Sequence, residues 1–193
     1  MDNYIKILKE VDYKVSTWSG GKTSELFIFP EQSSYKDRDF KVRISSATVE
    51  LEQSIFTKLE GVNRFITPLD NNLRLTHNEE ESVDLKPFEI HEFDGGINTN
   101  SFGKARDFNL MLANGAKGEL KSFLIQETKE IILLVDFGFN ILYSYDCIFK
   151  IRIDEEEFML LPNELLVIKS NTSKHIKIHS NNKGNILLSS FIE

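Results

Sequence analysis

Phe40-Lys41-Val42-Arg43-Ile44-Ser45-Ser46-Ala47 is the segment from which the fold is read. Phe40, Val42 and Ile44 fall on one side of a two-residue repeat, with Arg43, Ser45 and Ala47 on the other, and that period belongs to a β-strand. Asp107-Phe108-Asn109-Leu110-Met111-Leu112 divides the same way, with Phe108, Leu110 and Leu112 on one face and Asp107, Asn109 and Met111 on the other. Working outward, short alternating runs are predicted as strands at 26–29, 64–68, 73–76, 82–85, 90–93, 130–137, 148–153, 158–161, 165–168, 176–179 and 186–192. Turn residues separate them, among them Asp70-Asn71-Asn72, Asn114-Gly115 and Pro162-Asn163. So many short strands exclude an α/β fold and predict an all-β sandwich or barrel. The run 158–168 reads as a hairpin about Pro162-Asn163. A shared rhythm of strand, acidic turn and strand in 64–93 and 148–179 suggests two related lobes, at about 1–115 and 116–193, with exchange of a strand between them.

The chain has 193 residues, enough for one substantial core or two small lobes. Its net charge of −7 opposes nucleic acid and anionic membrane as partners. No apolar run approaches the roughly 20 residues that span a bilayer. The N-terminal residues 1–14 alternate charged and apolar types and do not read as a secretion signal. The single cysteine, Cys147, forms no intrachain disulfide and lies in an apolar run, which predicts an inert buried thiol in a reducing cytoplasm.

A metal site built on strands needs imidazoles and carboxylates that converge on one ion. The four histidines, His77, His91, His175 and His179, include no His-x-His pair. His77 and His91 flank the acidic Glu79-Glu80-Glu81, a solvated turn, and their spacing alone supplies no convergence. His175 and His179 share a strand face about 13 Å apart at a rise near 3.3 Å per residue, too far for one ion. No metal or other cofactor is expected, and no nucleophile signature is present.

Five blocks taken together resemble the HutD/Ves family. They are Trp18-Ser19-Gly20-Gly21-Lys22-Thr23-Ser24-Glu25-Leu26, then 38–47 around Arg43, then Phe56-Thr57-Lys58-Leu59-Glu60-Gly61-Val62-Asn63-Arg64, then Phe93-Asp94-Gly95-Gly96, and last Asp107 to Met111. The sequence departs from the family pattern at Ser54-Ile55, where Gly-Pro is usual, and at Gly96, where an acidic residue is usual. The resemblance implies a bicupin, two double-stranded β-helix (jelly-roll) lobes in one chain, and a link to histidine utilisation or stress response. It brings no established reaction.

The candidate ligand-binding residues are Arg43, Thr23, Glu25, Arg64, Asp107, Asn109 and Trp18. Arg43 stands beside the small Ser45 and Ala47, and its guanidinium can fork two hydrogen bonds to a carboxylate. The competing structural role is an Arg43–Asp107 ion pair. Arg64 either anchors the turn at Gly61 or adds a second cationic contact, and Trp18 is expected as a packing lid. Three functions follow: a metal-free module binding a small carboxylate metabolite, a metal-independent enzyme with Glu25 or Asp107 as acid or base, and a protein-interaction module. The sequence carries no interface signal of its own, and a homodimer is left open.

Overall fold

The computed structural model describes residues 3–18 and 20–192. Cα packing divides the chain into two units. One is Tyr13–Ala116; the other joins the N-terminal residues up to Asp12 with the chain from Lys117 onward. The first unit contains β2 (Lys14–Trp18), β3 (Gly21–Phe29), β4 (Val42–Val49), β5 (Gln53–Ile55), β6 (Val62–Pro68), β7 (Leu73–His77), β8 (Glu81–Leu85), β9 (His91–Asp94), β10 (Thr99–Phe102) and β11 (Arg106–Ala113). The second contains β1 (Tyr4–Leu8), β12 (Lys117–Ile125), β13 (Glu130–Val135), β14 (Gly138–Ser144), β15 (Phe149–Ile153), β16 (Glu156–Leu160), β17 (Leu165–Ser170), β18 (Lys174–His179) and β19 (Gly184–Ile192).

Each unit is a pair of antiparallel sheets, and the two units repeat one wiring. Strands β4-β11-β6-β9 in one sheet and β5-β10-β7-β8 in the other correspond, in order, to β12-β19-β14-β17 and β13-β18-β15-β16. The first unit adds β2 and β3 beside β4, and the second adds β1 beside β17. This is the eight-stranded double-stranded β-helix that the family resemblance implies, present twice.

The hairpin read over 158–168 is not formed. Strands β16 and β17 belong to different sheets, and β16 pairs instead with β15, Ile153 opposite Glu156 across the acidic turn. The matching hairpin in the first unit is β7–β8, with His77 opposite Glu81. Asp154 in one turn and Asn78 and Glu79 in the other take positive φ, the left-handed conformation that reverses the chain within a few residues. The strand read over 130–137 ends at Val135, and β14, absent from the sequence reading, follows at once. Its residues Phe139 to Ser144 are buried on both faces, so no alternation marks it.

The interior of the second unit is apolar, built on Ile125, Leu142, Phe149, Ile151, Leu166, Ile176, Ile178 and Ile186 among others. Ile176 and Ile178 point into it from β18, while His175 is exposed, as the strand period predicts. Cys147 is buried, its thiol donates to the Lys183 carbonyl at 3.4 Å, and burial pushes its pKa up, which matches an inert thiol. In the first unit, Ile66, Leu73, Leu75 and Phe93 form one apolar cluster, and Phe40, Val62, Met111 and Ala113 form another. Along β6 the inward positions run Val62, Arg64, Ile66, so Arg64 sits between the two clusters. No helix among the described residues is long and apolar enough to cross a membrane.

Candidate functional site

The pairing of β4 with β11 sets Arg43 opposite Met111, Ser45 opposite Asn109 and Ala47 opposite Asp107. On the other side of β11, Arg64 of β6 also faces Met111. Strand β3 brings Thr23 opposite Ala47 and Glu25 opposite Ser45, then shifts register by a bulge between Glu25 and Phe27. Residues directly opposite in a ladder share a face. The inward sides of β3, β4, β11 and β6 therefore form one continuous floor inside the first unit, on which Arg64 stands between the apolar Val62 and Ile66.

Above that floor is a cavity of about 250 Å³ lined by six of the seven candidate residues: Trp18, Thr23, Arg43, Arg64, Asp107 and Asn109. Tyr35, Ser45, Phe56 and Met111 add to its walls. Glu25 is the seventh, and it reaches the site through Arg43, whose Nε donates to its Oε2 at 2.8 Å. This replaces the Arg43–Asp107 pair: the partner of Arg43 is Glu25. Arg43 Nη1 also donates to Ser45 Oγ at 3.1 Å, and its guanidinium lies 4.2 Å from the Tyr35 ring centroid.

Arg64 is 6% exposed, and its guanidinium lies over Phe56 and Phe93, 4.6 and 5.1 Å from their centroids. Its Nη2 donates to Asn109 Oδ1 at 2.8 Å, and Asn109 Nδ2 donates in turn to Asp107 Oδ1 at 2.6 Å. Its Nε is buried with no hydrogen-bond partner, one of two such side-chain atoms among the described residues. Buried donors are rarely left unsatisfied, and Ser189 Oγ of the other unit is the second such atom. Burial lowers the Arg64 pKa to about 10, an effect partly offset by the nearby Asp107, and leaves the side chain cationic at neutral pH. Asp107 is 2% exposed, and burial raises its carboxyl to about 7 against the opposing pull of Arg64.

Trp18 is 37% exposed and folds its indole over Gly20, where a Cβ would collide with the ring. The residue also lines the cavity, and Ser19 of the same block lies outside the described residues. Among the described residues no three His, Cys, Asp or Glu side chains converge on a point. The sequence reading did miss one juxtaposition. His77 and His91, separated by the exposed Glu79-Glu80-Glu81 turn, come together with their Nε2 atoms 2.8 Å apart.

The sequence matches the HutD family over residues 10–188. The chain belongs to the HutD family. Its fold is that of HutD from Pseudomonas fluorescens, determined in a formate condition, with a TM-score of 0.74, 20% identity and coverage of 98% of this chain and 100% of that one. A conserved protein of unknown function from Pseudomonas aeruginosa gives a TM-score of 0.87 at 21% identity, covering 98% of this chain and 100% of that chain. A bacterial pirin from Escherichia coli, solved in complex with nickel(II), gives 0.66 at 9% identity over 97% and 98%. Pirin and the plant vicilin and globulin neighbours are cupins, so the fold is a two-lobed cupin. None of the curated proteins matches the chain in sequence.

Proposed function

We propose that this HutD-family protein binds a small carboxylate-bearing metabolite in its N-terminal cupin lobe and acts as a metal-free regulatory sensor, in the cytoplasm, of the histidine-utilisation or stress-response type that its family implies. The single observation that carries the reading is the unpartnered, buried Nε of Arg64, in a side chain that lines a cavity of about 250 Å³. Nε and one Nη of a guanidinium form the fork that grips a carboxylate with two parallel hydrogen bonds. Arg43 contributes positive potential, but its Nε is committed to Glu25, so Arg64 is the primary anchor in place of Arg43. Asn109 accepts from Arg64 Nη2, and Thr23 and Trp18 line the same cavity. A cavity of this size takes a small molecule, below the usual range for drug-sized ligands.

The test is a thermal-shift panel of formate, acetate, urocanate and formylglutamate, formate being the condition named for the P. fluorescens structure. A ligand at one hundred times its Kd adds about 2.7 kcal/mol to stability. A panel that leaves the melting temperature unmoved at millimolar concentrations overturns the reading.

Asp107 supports a second reading. A buried carboxyl raised to about 7 beside a cationic side chain is matched to acid–base work near neutrality. Glu25 is engaged elsewhere, its carboxylate accepting from Arg43 Nε. Turnover of a panel compound that disappears in Asp107→Asn while binding persists would establish an enzyme; binding without turnover in the wild type would establish a sensor.

A further inference from the structure

His77 ends β7 in one sheet of the N-terminal lobe, and His91 begins β9, the edge strand of the other. Their Nε2 atoms are 2.8 Å apart, the rings lie 26° from coplanar, and the centroids are 5.1 Å apart, so the imidazoles meet end to end. One Nε2–H donates to the other Nε2, and a single proton occupies the space between the sheets. On the far side of His77, Nδ1 lies 3.0 Å from Thr99 Oγ1, which fixes the ring. Phe93, two residues along β9, packs against both imidazoles at 5.0 and 5.7 Å.

The repeat of the fold supplies an internal comparison. The position of His77, last in its strand and opposite the first residue of the next, is held by Ile153 in the C-terminal lobe. Phe93 pairs with Arg64, the third residue of β6, as Ile168 pairs with Asn140, the third residue of β14. Leu166 therefore stands where His91 does. Ile153 and Leu166 are both buried in one apolar cluster. The architecture places hydrocarbon at these two positions in one lobe and two titratable rings in the other.

We propose that His77 and His91 form a proton-operated clasp: sharing one proton they hold edge strand β9 against the β7 sheet, and a second proton parts them. Two imidazoliums cannot keep their Nε2 atoms 2.8 Å apart, because both nitrogens then carry hydrogens and like charge. The charged groups acting on the pair are Glu81, opposite His77 on β8, and Glu92, next to His91 on β9; Arg64 of β6 lies beyond Phe93. Burial holds both histidines below their ordinary 6.5, and for His91 the neighbouring His77 adds to it. Both effects favour the singly shared proton at neutral pH. The clasp is a property of the fold and holds whether or not the cavity takes a carboxylate.

Hydrogen exchange tests it on the intact protein, as protection factors of amides 91–94 at pH 7.5 and pH 5.0 referenced to β15. Protection of β9 should fall at least tenfold more than that of β15 on acidification. The double variant His77→Ile with His91→Leu, which copies the C-terminal lobe, should keep β9 protected at both values. Equal loss in β9 and β15 in the wild type, or a double variant as acid-sensitive as the wild type, would overturn the clasp. Should the double variant fail to fold, imidazole ¹⁵N titration of the wild type decides: two steps separated by more than one pH unit support the shared proton, and independent titration of both rings near 6.5 refutes it.

Discussion

Replacing Asp107 by asparagine should make the protein more stable at neutral pH and leave it unchanged in acid. The amide side chain would keep a carbonyl that accepts from Asn109 Nδ2 and the Ala47 amide while removing the charge. The sign follows from the direction of the shift. Asp107 titrates near 3.8 in the unfolded chain and at about 7 in the folded one, so the folded state holds the extra proton between those values. Its favourable contribution is complete below 3.8 and is lost as pH rises to about 7. At about 1.4 kcal/mol per pH unit, that interval corresponds to a ceiling of about 4 kcal/mol. In a chain of this length, the gap is on the order of 10 °C in melting temperature. The assay is urea unfolding of wild type and variant at half-unit steps from pH 4 to pH 8. The difference between the two proteins should be near zero at pH 4, widen through pH 5 and 6, and level off above pH 7. A gap of constant size across the range, or a wild type more stable than the variant at pH 8, would show that the Arg64 charge compensates Asp107 fully and would refute the reasoning.

Glu25→Ala leaves the Arg43 guanidinium, only 6% exposed, without its carboxylate, and should cost about 3 kcal/mol in denaturant unfolding, with Glu25→Gln showing only part of that loss because an amide oxygen still accepts from Nε. Gly95→Ala drives a methyl to 2.8 Å from the Val62 carbonyl and 2.9 Å from that of Leu59, where β9 is tied to β6, and should destabilise by about 1–3 kcal/mol with loss of any carboxylate-induced thermal shift. Ile151→Ala, in the buried apolar cluster of the C-terminal lobe, should cost about 2–5 kcal/mol in denaturant unfolding while leaving the Kd for a carboxylate within a factor of two.

Much of the site was legible because a strand sorts its residues by parity. Reading 40–47 and 107–112 as strands is enough to put Arg43, Ser45, Asp107 and Asn109 on polar faces, and the structure joins those faces into one floor, although β4 begins only at Val42 and Phe40 packs with Met111 on the other side. What the sequence could not supply was pairing across long separations. Whether Arg43 meets Glu25 or Asp107 depends on register between residues 18 and 64 positions apart, and period carries no register. His77 and His91 meet across two sheets for the same reason. Strand β14 escaped notice because both its faces are buried, which removes the alternation that strand reading relies on. The hairpin assigned to 158–168 failed because a tight turn says that the chain reverses, not which sheet it enters next.

Isothermal titration of the wild type and of Arg64→Lys with the strongest stabiliser from the carboxylate panel tests the central claim most directly. The lysine keeps the charge and removes the Nε fork. The expected result is one site per chain in the wild type, at least tenfold weaker in Arg64→Lys at a melting temperature within a few degrees of the parent. The same Kd in both proteins, or no heat of binding for any carboxylate, would contradict it.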